Sequence, residues 1–208
     1  MTRLDAAGSS TAMQSKLVRA AVLGAVIAGI GWAVSGVTAV IYPDWDVGTP
    51  GPYFVVEGLH AVAETAMVPA LLWLWNAQRI RLHRPGNIGF GLTVAATVLL
   101  AAMTYLTVIV PLVGITEGNV VVDVLFLLSV LGTIVGFIMC GITTIRARVW
   151  PPATGPLLIA HPLLLLAVLA FAQLVESYAI FIAVGLLWFA IAWILARRKA
   201  SDQTGQPN

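Results

Sequence analysis

Six runs of nearly continuous apolar residues divide this chain, at about 17–42, 53–77, 87–112, 120–144, 156–173 and 176–196. A bilayer core of ~30 Å takes about 20 apolar residues in helical form. The runs do not alternate polar with apolar and are too long for barrel strands, so the pattern predicts helices. Turn formers separate them. Pro43, Gly48, Pro50, Gly51 and Pro52 follow the first run, Pro85-Gly86 the second, and Pro151, Pro152, Gly155 and Pro156 the fourth. Pro156 suits the first turn of the fifth helix. Gln173 to Ser177, between the last two runs, contains neither Gly nor Pro. One helix over 156–196 would nevertheless be about 60 Å long, twice the bilayer, so a hairpin is expected there as well. The expected fold is an all-α integral membrane protein, a six-transmembrane-helix bundle built as three helical hairpins over 16–199. Disordered cytoplasmic tails are expected at 1–15 and 200–208.

Charge supplies the orientation. Arg3, Lys16 and Arg19 precede the first run, Arg79, Arg81 and Arg84 follow the second, Arg146 and Arg148 the fourth, and Arg197, Arg198 and Lys199 the sixth. Asp44, Asp46, Glu57, Glu117, Asp123 and Glu176 lie in or beside the alternate gaps. Basic residues in short loops remain cytoplasmic, so both termini are expected inside. Each even-numbered run opens on an apolar-acid pair (Val56-Glu57, Val122-Asp123, Val175-Glu176) and closes on a basic cluster one crossing later. The chain therefore looks like three related hairpins.

Composition agrees with a life in lipid. Hydrophobic residues make up 60% of the chain and charged residues 10%, against roughly 25% charged in soluble domains. Mean hydropathy is +0.96. The pI near 9.0 reflects membrane-flanking loops, which attract anionic lipid heads on the cytoplasmic side rather than nucleic acid. Ala20 to Tyr42 exceeds the ~7–15 residue core of a signal peptide and is expected to be retained as a helix. Cys140 is alone, so there is no disulfide framework. Small residues spaced by four form ridges at Ala25, Gly29 and Ala33 and at Gly132, Gly136 and Cys140. They suit close packing within the bundle or against a second copy or membrane partner.

The candidate chemistry lies on the second run. Glu57, His60 and Glu64 are spaced by three and four residues and share one helical face. Glu64 falls about 16 Å beyond Tyr53, near the midplane. A carboxylate there is stable only if it is neutral, paired or wet, so this face should look into the bundle. Pro69 should kink the helix and free the Thr65 carbonyl. Tyr105 and Thr107, Asp123, and Gln173, Glu176 and Tyr178 are the expected neighbours in an outward-facing polar vestibule. The plainer reading of Glu57, Asp123 and Glu176 is that of solvated acids at helix starts, where the dipole favours negative charge. His60 then serves as a clasp. His161 is expected on the inner half, too far from His60 for a haem held by both.

Other chemistry is mostly set aside. Glu57-Gly-Leu-His60 matches one Glu-x-x-His element, where a di-iron site needs two. A single metal on Glu57, His60 and Glu64 with Asp123 is chemically allowed but weakly signalled. No lysine lies at mid-membrane for a Schiff base, Ser35 and Ser129 have no evident partner, and no nucleotide motif is present. No catalytic residue is assigned and no cofactor is expected.

Arg146-Ala-Arg148-Val-Trp150-Pro-Pro with Gly155-Pro-Leu, together with the hairpin lengths, resembles a bacterial group of small six-crossing inner-membrane proteins catalogued as a domain of unknown function. The resemblance covers most of the chain, implies a multi-pass protein of the bacterial inner (plasma) membrane, and implies no activity. The function expected is binding: a lipid, quinone, other small apolar ligand or partner helix held in a polar-mouthed pocket. The alternatives are a small proton- or cation-coupled transporter using Glu64 and His60, and a metal-dependent intramembrane enzyme.

Overall fold

The computed structural model describes residues 3–42, 50–112, 120–170 and 179–204. Six helices run over Arg3–Ile41 (α1), Pro50–Gln78 (α2), Arg84–Leu112 (α3), Val120–Ala147 (α4), Thr154–Ala170 (α5) and Ala179–Thr204 (α6), and the described residues contain no strand. Five of these helices are long and apolar enough to cross a membrane, and α5 contributes a shorter apolar stretch, Thr154–Val168. The last two runs are thus two helices, and the Gln173–Ser177 turn lies outside the described residues.

Several boundaries differ from expectation. α2 and α3 begin at Pro50 and Arg84, earlier than the apolar pattern suggests. Pro50, Pro52 and Pro85 occupy first turns, where a missing N–H has no intrahelical acceptor to lose, so residues read as turn formers are helix starts. α1 begins at Arg3 and α6 continues to Thr204, so these helices extend into the segments expected as tails. Residues 3–15 contain no proline, and Leu4, Ala6, Ala7, Ala12, Met13 and Gln14 are good helix formers. α4 carries Arg146 in its last turn and stops at Ala147; Arg148 follows with φ 50°, the left-handed conformation that closes many helices.

Each helix packs against its neighbours in the chain, and α6 returns to α1, closing a ring in chain order. Successive helices are antiparallel. A Cβ added to Gly31 would meet Leu59 and Ala63, and one added to Gly36 would meet Phe181 and Ile182. The small-residue ridges are taken up inside this ring. A Cβ on Gly185 of α6 would lie 2.7 Å from both Gly29 O and Ala33 N of α1, and one on Gly132 would lie 2.9 Å from the Ala96 Cβ. Gly136 backs onto Thr93, whose hydroxyl is 3.1 Å from Cys140 Sγ.

The distribution of polarity is inverted relative to a water-soluble bundle. Leu23, Ile30, Leu127, Leu131, Leu163, Leu186 and Trp193 are exposed on the outside, whereas Ser35, Thr93, Thr97, Thr104, Ser129, Thr133 and Thr144 are buried. Continuous apolar exposure of this kind requires a non-aqueous surrounding. The hydroxyls of Ser35, Thr93, Thr104 and Ser129 bond carbonyls one turn back, as Thr93 does to Gly89 O at 2.8 Å, which satisfies them away from water.

One end of the ring carries Arg79, Arg81, Arg84, Arg146, Arg148 and Arg197, and is called the basic end below. It is pinned by side chains: Trp75 Nε1 donates to Asn87 Oδ1 at 2.8 Å, and Gln78 Nε2 to Thr144 Oγ1 at 3.1 Å. Arg198 donates to the Val149 carbonyl at 2.7 Å and lies 4.2 Å over the Trp150 ring.

Candidate ligand-binding cavity

A cavity of about 310 Å³ occupies the middle of the ring in the half away from the basic end, and every helix contributes to its wall. α1 supplies Trp32, α2 supplies Glu57, His60 and Glu64, and α3 supplies Leu100 and Thr104. Phe126, Val130, Thr133 and Ile134 come from α4, Leu165, Leu166 and Val168 from α5, and Phe181 from α6. Glu57, His60 and Glu64, expected on one inward face of the second helix, thus lie together on this wall.

The α2 face is held by α3. Thr104 donates its hydroxyl to Glu64 Oε2 at 2.9 Å and also lies 3.0 Å from the Leu100 carbonyl. Nearer the end of the helix, Tyr53 Oη donates to the Thr107 carbonyl at 3.2 Å, and the Thr107 side chain lies against the Glu57 carboxyl. Glu64 and His60 are 4% and 7% exposed, whereas Glu57, nearer the helix start, is half-buried. Pro69 sits inside α2, and α1 approaches it closely: a Cβ on Gly24 would overlap the Ala66 carbonyl and lie 3.6 Å from the Pro69 Cβ.

Aromatic rings close the cavity toward the basic end. Trp32 stands between the two buried histidines, with centroids 4.6 Å from His60 and 6.2 Å from His161. Phe181 packs edge-on against His60 at 4.7 Å, and Phe137 lies 4.5 Å from His161. Trp188 Nε1 donates to His161 Nδ1 at 3.3 Å, which fixes the His161 proton on Nε2.

Three polar atoms of wall residues are buried and have no hydrogen-bond partner: Trp32 Nε1, His60 Nε2 and Thr133 Oγ1. Orphaned buried polar atoms of this kind cost about 1–3 kcal/mol each.

Not every expected member belongs. Tyr105 and Asp123 are exposed and absent from the wall. Thr104 takes the place expected of Tyr105, a shift of one residue that turns a helical side chain by about 100°. Glu176, with Gln173 and Tyr178, lies outside the described residues. Glu57, His60 and Glu64 do not converge as metal ligands, and no other group of three His, Cys, Asp or Glu does so among the described residues.

Trp32, Thr104, Thr133 and Phe181 were not anticipated. Only the small-residue ridge beside Trp32 hinted that this face of α1 looks inward. His161, expected on the inner half, is the next ring beyond Trp32 on the side of the basic end. No family model, curated protein or solved structure matches this chain.

Proposed function

We propose that the chain is a six-crossing inner-membrane protein, both termini cytoplasmic, which holds a small ligand with an apolar body and a polar head in the ring cavity. α5 is about 26 Å long over its described residues, close to one crossing. The basic end is the cytoplasmic face by the charge rule, so the cavity faces outward. The observation that carries the reading is the cavity itself, with Glu57 and Glu64 on an otherwise mostly apolar wall. Ligand sites combine apolar lining with a few convergent polar groups in this way, and 310 Å³ is the lower end of their usual size.

Native mass spectrometry of protein released from its own membrane tests this. One small molecule per chain is expected on the wild type and none on Val130→Trp, whose indole fills the cavity. A bare wild type, or a ligand that survives Val130→Trp, contradicts it.

Transport coupled to protons or cations is the second reading. It is favoured by the aromatic barrier of Trp32, His161 and Trp188, which separates the cavity from the basic end as a single-sided access state requires. Uptake into vesicles that is abolished by Glu64→Gln supports it; the absence of flux in wild-type vesicles removes it.

A further inference from the structure

Within the cavity reading above, and resting on it, we infer that the ligand is a protonated lipophilic amine bound at Glu64 and Glu57 in exchange for a proton. The wall residues include two carboxyls and no Lys or Arg. A carboxyl at this depth is stable only as the neutral acid or paired with a cation. Among the described residues of the wall, the neighbouring helices supply no cation. On α2 itself the other titratable group is His60. The wall residues of α1, α3, α4, α5 and α6 are uncharged, and His161 of α5 stands beyond Trp32. Tyr105 and Asp123 are exposed and outside the wall.

The two carboxyls supply acceptors suited to the several N–H donors of an ammonium group. Trp32 and Phe126 are also on the wall, and aromatic rings of this kind attract organic cations. The aliphatic remainder of the wall, Leu100, Ile134 and Leu165, suits a hydrocarbon body. The exchange balances: the neutral Glu64 acid releases one proton as the ammonium arrives, and the site keeps its charge.

The test uses the full chain in nanodiscs, with empty nanodiscs as the partition control, and compares benzylamine with benzyl alcohol. These probes share a body and differ in the cationic head. Saturable binding of benzylamine at one per chain is expected, at least tenfold tighter than benzyl alcohol. Calorimetry in two buffers of different ionisation enthalpy should show about one proton released. Glu64→Gln should weaken the amine at least tenfold and leave the alcohol unchanged. Glu57→Gln provides the same comparison if Glu64→Gln fails to fold.

Equal affinities for the two probes, both lost in Val130→Trp, overturn the amine inference and leave the cavity reading intact. Binding of neither probe also overturns it, and the native mass spectrum then decides the cavity reading alone.

Discussion

The Thr104 hydroxyl and Glu64 Oε2 stand 2.9 Å apart, and this bond joins α3 to the deepest acid of α2 at the cavity wall. It fixes the carboxyl on the inner face of the ring instead of leaving its rotamer free. Thr104→Val removes the donor while keeping the shape, and is expected to lower stability by about 1–2 kcal/mol, with Thr104→Ser restoring it. Thermal unfolding in nanodiscs measures both; an unchanged midpoint for the valine variant would show that the bond contributes nothing.

Close approach of α1 and α6 depends on Gly185. Gly185→Ala places a methyl 2.7 Å from two backbone atoms of α1, which cannot move independently of their helix. A loss of about 1–3 kcal/mol is expected. Gly91→Ala is the internal control, since its Cβ would meet only the tip of Trp75 at an ordinary 3.8 Å. Similar stabilities for the two variants would refute the packing argument.

Arg148 holds φ 50°, which costs an L-residue with a Cβ roughly 1–2 kcal/mol. Its side chain is exposed, so Arg148→Gly gives up little contact. That variant is expected to be more stable by about 0.5–1 kcal/mol, read in the same unfolding assay. A destabilised variant would mean that the arginine side chain does more at the basic end than its exposure implies.

Orientation is open to direct labelling. Cys140, the only cysteine, is buried and gives low background. In intact cells, a membrane-impermeant maleimide is expected to modify Glu117→Cys and to leave His83→Cys unmodified until the membrane is opened. The reverse pattern would put the basic end outside.

The sequence announced the helices because each apolar run is long and interrupted by residues with a fixed conformational meaning. It misjudged their ends where proline serves both as a turn former and as a first-turn residue, as at Pro50 and Pro85. The cavity was half legible. Glu57, His60 and Glu64 share a face by spacing alone, and the cost of an acid in hydrocarbon sends that face inward. Which residues oppose it depends on the rotation of the other helices, and an inward stripe is hard to read on helices that are apolar all round. Thr104 was therefore missed for Tyr105, and Trp32 was missed altogether. The repeated apolar-acid pair was also deceptive, for Glu57 faces the cavity and Asp123, at the corresponding start of α4, is exposed.

The central claim is that Glu64 lies in a reachable cavity within the ring. Reaction of the protein in its membrane with a hydrophobic carbodiimide, followed by peptide mass spectrometry, tests it most directly. One adduct on Glu64 is expected in the wild type, with at least a tenfold loss in a folded Val130→Trp variant. No adduct on Glu64, or equal labelling when the cavity is filled, would contradict the claim.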